Sequence, residues 1–134
     1  MRSNSVEYCV LEHANITVTD PDALAEELCG LFDWHVRWAG EALSGGRTVH
    51  VGNDQIYLAL YQPKTMSADE GELSAYQAQN GLNHIGLVVS DLDAMERRVV
   101  QAGYKPENYG DYEPGRRFYF SVAAGLEFEL VSYG

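Results

Sequence analysis

The sequence predicts an α+β fold built from two tandem βαβββ modules, and three observations carry that expectation. The chain repeats itself: Leu11-Glu12-His13, an apolar run to Val18 and Asp20-Pro21-Asp22-Ala23 return as Leu82-Asn83-His84, a run to Val89 and Asp91-Leu92-Asp93-Ala94, at a constant offset of 71 residues. In each copy the apolar positions change from a period of two to a helical spacing shortly after the repeated histidine. Each change coincides with an acid suited to cap a helix N-terminus.

Taken in order, the first strand alternates Ala14, Ile16 and Val18 against His13, Asn15 and Thr17. The helix after it starts at Asp20-Pro21, with proline suited to the first helical position, and continues through Leu24, Leu28, Leu31 and Phe32. Three extended runs follow, about Trp34 to Gly40, Arg47 to Val51 and Gln55 to Tyr61, divided by Gly45-Gly46 and Gly52-Asn53-Asp54. The second copy sets Ile85, Leu87 and Val89 against His84, Gly86 and Val88. Its helix runs from Asp91 through Leu92, Met95, Val99 and Val100 until Gly103 stops it. Strands are then expected at about Tyr104 to Tyr109, Arg117 to Val122 and Leu126 to Tyr133. Module one spans about 10–61, a linker 62–81 holds a short helix around Leu73 to Gln79, and module two spans about 82–133. The whole reads as a single domain of 1–134.

Composition narrows the function. At 134 residues and 46% hydrophobic, the chain is long enough for a real core. Twenty acidic against nine basic residues give a net charge of −11, which repels nucleic acid and anionic membrane surfaces at long range. Cys9 and Cys29 have no CxxC or secretory spacing, and the N-terminal residues hold no apolar stretch. A cytoplasmic protein with reduced thiols is expected. Asn15-Ile16-Thr17 matches a glycosylation acceptor but sits in an apolar strand, so it is set aside.

The chemistry lies on one face. The richer apolar side of each first strand packs on its helix, which turns His13 and His84 away from it. In the last strand Leu126, Phe128 and Leu130 alternate with Glu127, Glu129 and Val131, so both glutamates share the histidine face. Two imidazoles and one of these carboxylates form a ligand set for a divalent transition metal with positions left open for substrate. The plainer alternative for each histidine is a hydrogen-bonded strand residue.

Two βαβββ modules, each beginning L-x-H and D-x-D-A, the second ending G-x-x-x-E-L, resemble the vicinal oxygen chelate superfamily. That group holds glyoxalases, extradiol dioxygenases, fosfomycin-resistance enzymes, methylmalonyl-CoA epimerases and bleomycin-binding proteins, and the resemblance covers about Val10 to Tyr133. It implies a curved, open eight-stranded sheet around a cavity with helices on the outer face. It also implies a divalent ion, Fe, Mn, Zn or Ni, held by His13, His84 and Glu129. Glu127 becomes a pocket residue, and either Glu127 or Tyr119 serves as proton carrier. Laying Ile56 to Leu60 over Leu126 to Leu130 puts Ala59 where Glu129 stands, which departs from the four-ligand glyoxalases and leaves a three-ligand site. Tyr119, ten residues before Glu129, is placed by the resemblance on the cavity side with Arg117 and Ser121, where it orients substrate.

The implied activity is metal-dependent chemistry on a small oxygen-chelating substrate, either extradiol-dioxygenase-like or glyoxalase-like (lyase or isomerase). The alternative is a metal-free binder of the bleomycin-resistance type. A homodimer is implied, with the site within one chain or shared between two. His35 reads as a strand-edge residue, His50 has uncertain parity, and Trp34, Trp38, Tyr57 and Tyr61 are candidates for an aromatic-lined pocket, for the core or for a dimer interface.

Overall fold

Asp20 starts the first helix as its side chain allows, accepting a hydrogen bond from the Ala23 N–H at 3.1 Å, and Asp91 does the same for Ala94 at 3.0 Å in the second. These contacts come from a computed structural model of the chain, which describes residues 10–42, 45–65, 79–112, 115–122 and 125–133. Among them lie eight strands and two helices in two compact units, Met1–Met66 and Ser67–Gly134. The first unit runs β1 (His13–Thr17), α1 (Pro21–Phe32), β2 (His35–Glu41), β3 (Arg47–Gly52) and β4 (Tyr57–Gln62). The second runs β5 (Ile85–Val88), α2 (Leu92–Gln101), β6 (Glu107–Tyr112), β7 (Gly115–Ser121) and β8 (Glu127–Ser132). The expected βαβββ modules are therefore present.

Each unit forms a four-stranded mixed sheet with the same connectivity, β1-β4-β3-β2 in one and β5-β8-β7-β6 in the other. The first and last strands of each unit pair in parallel, and the remaining pairs are antiparallel. One helix covers one face of each sheet. In the first unit Leu24, Leu28 and Leu31 of α1 bury against β3 and β4, which contribute Val49, Val51, Leu58 and Leu60. In the second Leu92 and Val99 of α2 cover β7 and β8, where Phe118, Phe120, Phe128 and Leu130 are shut off from solvent. Phe120 stacks on Phe128 at 5.8 Å.

An Arg–Asp bridge ties helix to sheet in each unit. Arg47 on β3 forks onto Asp22 in the first turn of α1, with contacts of 2.7 and 2.8 Å. Arg116 on β7 reaches Asp93 in the first turn of α2 at 2.9 Å. The Arg47 guanidinium holds the Asp22 carboxyl below its usual range.

Several strand starts differ from the sequence expectation, for local reasons. The Asn53 side chain accepts from the N–H groups of Gln55 and Ile56. That turn holds the chain out of the ladder until Tyr57. After α2, Gly103 takes a left-handed φ of 95°, and the Tyr104 N–H bonds back to the Val99 carbonyl. Tyr104 thus finishes the helix, and β6 begins later, at Glu107. The ladder of β5 starts at Ile85, so His84 immediately precedes the strand. The linker helix expected around Leu73 to Gln79 falls on residues outside those described, except for a turn at 79–80.

Core and cap substitutions should separate clearly in urea unfolding. Leu28→Ala removes a fully buried side chain and is expected to cost about 2–5 kcal/mol. Asp91→Ala removes one cap and should cost about 1 kcal/mol. Equal losses would contradict the packing described for α1.

Candidate functional site

With the helix-facing residues buried, the alternate residues of every strand gather on the opposite face. In the second unit these are Arg117 and Tyr119 on β7 and Glu127 and Glu129 on β8, as their alternation predicts, with His84 beside them at the mouth of β5. Register sets their order: Glu129 lies between Tyr119 of β7 and Gly86 of β5. His84 Nε2 is 3.1 Å from Glu129 Oε1. The Arg117 guanidinium donates to the other carboxylate oxygen, Oε2, at 2.7 Å, and Tyr119 meets the His84 ring edge-on at 5.3 Å. Only 9% of Glu129 is exposed. A carboxylate this buried needs charged partners, and Arg117 supplies one.

The equivalent face of the first unit is aromatic. His13 stacks on Tyr57 at 4.8 Å and His50 stacks on Tyr57 at 4.5 Å, while Trp38 lies 5.3 Å from His50. The Arg37 guanidinium sits over the Tyr57 ring, 4.6 Å from its centre, a cation–π contact. His13 Nδ1 lies 2.8 Å from the Glu12 carboxylate, which lowers the Glu12 pKa. With a carboxylate as acceptor, Nδ1 carries the proton and the ring's lone pair is on Nε2. Burial pushes the His50 pKa down, with His13 and Arg37 adding to the shift and Glu12 opposing it. Burial and the Glu12 carboxylate push Tyr57 up.

The structure settles several open sequence assignments. His50 shares the face of Tyr57, so its parity is the open side. His35 is the first residue of the edge strand β2 and is exposed, 3.8 Å from Asp54, as expected of a strand-edge residue. Of the four aromatics named from the sequence, Trp38 and Tyr61 line the groove, Tyr57 stacks between His13 and His50, and Trp34 packs against Phe32 at 4.9 Å. Glu127 and Tyr119 lie on the expected face. Sequence reasoning missed the Arg117–Glu129 pair, the Glu12–His13 contact and Arg37 over Tyr57. Alternation put Arg117 on the right face, but nothing in the sequence named its partner. Among the described residues no group of three or more His, Cys, Asp or Glu side chains is gathered closely enough to hold a metal by itself.

The pair in the second unit can nevertheless act as part of a donor set. Two donors, each about 2.0–2.2 Å from one cation at tetrahedral or octahedral angles, lie roughly 2.8–3.6 Å apart. His84 Nε2 and Glu129 Oε1 meet that spacing at 3.1 Å. Arg117 occupies only Oε2, which leaves Oε1 toward His84.

Comparison with known proteins agrees with this architecture. The family described as Glyoxalase/Bleomycin resistance protein/Dioxygenase superfamily matches residues 12–120, and the chain belongs to it. A glyoxylase/bleomycin resistance protein/dioxygenase domain from Frankia sp. EAN1pec superposes with a TM-score of 0.79 at 19% identity, covering 96% of this chain and 94% of the other. The fosfomycin resistance protein FosX from Mesorhizobium loti gives 0.65 at 25% identity, covering 95% and 92%. A mutant FosX from Listeria monocytogenes, complexed with Mn(II) and 1S,2S-dihydroxypropylphosphonic acid, gives 0.67 at 16%, covering 93% of each chain. A search of curated proteins found no match. No helix among the described residues is long and apolar enough to cross a membrane.

Two measurements test these contacts. Arg117→Ala strands the Glu129 charge and should cost about 3 kcal/mol; adding Glu129→Gln should recover part of it, and strictly additive losses would contradict the pair. His50 has a depressed pKa in the folded protein, so below the ordinary value of 6.5 the unfolded chain binds its proton first. Folding stability attributable to His50 is therefore complete above that pH and declines as pH falls through the window below it. The stability difference between wild type and His50→Gln should shrink with acidification, and a constant or growing difference would contradict it.

Proposed function

We propose that this protein is a metal-dependent enzyme of its superfamily, in which His84, Glu129 and His13 hold one divalent cation that a small substrate chelates through adjacent oxygens. The two units then act as one domain. The observation that carries the reading is the 3.1 Å spacing of His84 Nε2 and Glu129 Oε1, on a face where nothing in the packing of the core requires a buried carboxylate. When bound, the cation supplies Lewis-acid stabilisation of negative charge on the substrate oxygens. Ion identity within Fe, Mn, Zn and Ni stays open; FosX from Listeria monocytogenes holds Mn(II).

The chain's own groups have separable roles. Arg117 fixes the Glu129 carboxylate through Oε2, so its orientation is set before any ligand arrives. Glu12 holds the proton on His13 Nδ1 and keeps the Nε2 lone pair for coordination. His84 Nε2, 3.1 Å from Glu129 Oε1, is placed to share a ligand with that oxygen. Tyr119, against the edge of His84, orients substrate. Glu127, two residues before Glu129 on the same face, carries the substrate proton. Both lyase or isomerase chemistry and ring-opening dioxygenation use such a set. We further propose a cytoplasmic homodimer.

Elemental analysis of protein purified without chelator or affinity-tag metal, then reconstituted with Fe, Mn, Zn or Ni, tests the reading. Wild type should take up about one ion per chain, and His84→Ala and Glu129→Ala should lose it while remaining folded. Affinity should fall with acidification, because protons and metal compete for the same donor atoms. Failure of wild type to bind any of the four ions would sink this reading in favour of a metal-free binding protein.

A further inference from the structure

We propose that the open face of the first sheet is a stacking site for an uncharged planar aromatic ring bearing a hydroxyl or carbonyl group, with Trp38 as the platform. A groove of about 450 Å³ lies on this face, lined by Asn15, Trp38, Glu41, Thr48, His50 and Tyr61 among others. That volume is within the range of small-molecule sites. The rings beside it form a continuous series, His13 to Tyr57 to His50 to Trp38, crossing the sheet from β1 to β2. Among the described residues the series ends at an indole that is 50% exposed, the point at which one more ring can be added.

Gly40 shows how that indole is placed. A Cβ built on Gly40 would come 2.8 Å from Cζ2 of Trp38, closer than real Cβ atoms approach, and 3.0 Å from Cη2, so the indole end would have to shift. The indole therefore lies down along β2, over the glycine two residues further on the same face. An upright indole would need no glycine there. Glu41 at the groove and the net charge of −11 disfavour an anionic ligand. Asn15 and Thr48 offer side chains able to meet a hydroxyl or carbonyl, and the lowered His50 pKa keeps that imidazole neutral for stacking. Calling the ring's owner the substrate rests on the proposed function; the stacking itself does not.

The test uses protein freed of metal with a chelator, so the two readings fail separately. Calorimetry compares 2-naphthol with decahydro-2-naphthol, which keeps the carbon skeleton and hydroxyl but has no π-face. 2-Naphthol should bind about threefold or more tightly than its saturated counterpart, from the added stacking. It should also shift the Trp38 indole N–H resonance in a Trp34→Phe background. Trp38→Ala should weaken binding about tenfold, Gly40→Ala should weaken it by displacing the indole, and Trp38→Phe should retain the aromatic preference. Equal affinity for the two compounds, an unmoved Trp38 resonance, or wild-type binding by both Trp38→Ala and Gly40→Ala would overturn the inference. Stacking without metal uptake would leave it standing and remove the metal reading alone.

Discussion

Each sheet has one face closed by one helix, and the pleat of the strands turns that closure into an assignment for every other residue. Burying Phe118 and Phe120 forces Arg117 and Tyr119 to the other side; burying Phe128 and Leu130 does the same to Glu127 and Glu129. A slip of one residue would exchange the two sets, placing two carboxylates under α2 and four large apolar side chains in the open. The core thus holds the polar face in register. The site residues need no special loop to bring them together, because strand pairing already places Glu129 beside Tyr119 and opposite Gly86, two residues along from His84.

The two units share one frame and fill it differently. His50 is opposite Ala59 as Tyr119 is opposite Glu129, so the registers make Ala59 the counterpart of Glu129 and His50 that of Tyr119. By the same count Tyr57 answers Glu127. Where the second unit carries a buried carboxylate with an arginine and an imidazole on its two oxygens, the first carries a methyl group among stacked rings. In the proposed site the second face supplies two of the three cation ligands and the first supplies His13 together with the aromatic platform, an outcome of a duplicated scaffold whose matched positions have different chemistry.

Much of this was legible in the sequence because it depends on periodicity. The offset repeat, the capping acids Asp20 and Asp91 and the alternation of Leu126 to Val131 each report a local constraint that the fold obeys. Pairings between distant strands were harder to see. Arg117 and Glu129 are twelve residues apart and lie on neighbouring strands, but their contact depends on a diagonal reach that alternation alone does not specify. The Arg47–Asp22 and Arg116–Asp93 bridges are equivalent in role, yet the intervening loops differ in length, so the constant offset that exposed the histidines does not connect the arginines. Strand starts were missed where a side chain or a helix end used the backbone first, as Asn53 and Tyr104 do. For Trp34 the sequence left pocket and core open, and its packing on Phe32, two residues before it, shows a contact that composition alone does not specify.

The claim on which the functional account depends is that His13 and His84, matched in the sequence repeat, serve one cation. Long-range proton–nitrogen NMR of the histidine rings during titration with Zn(II) tests it most directly. The account predicts that the Nε2 resonances of both His13 and His84 move together and are complete at one equivalent, while His35 stays fixed. Movement of His84 alone, or of neither ring, would contradict it.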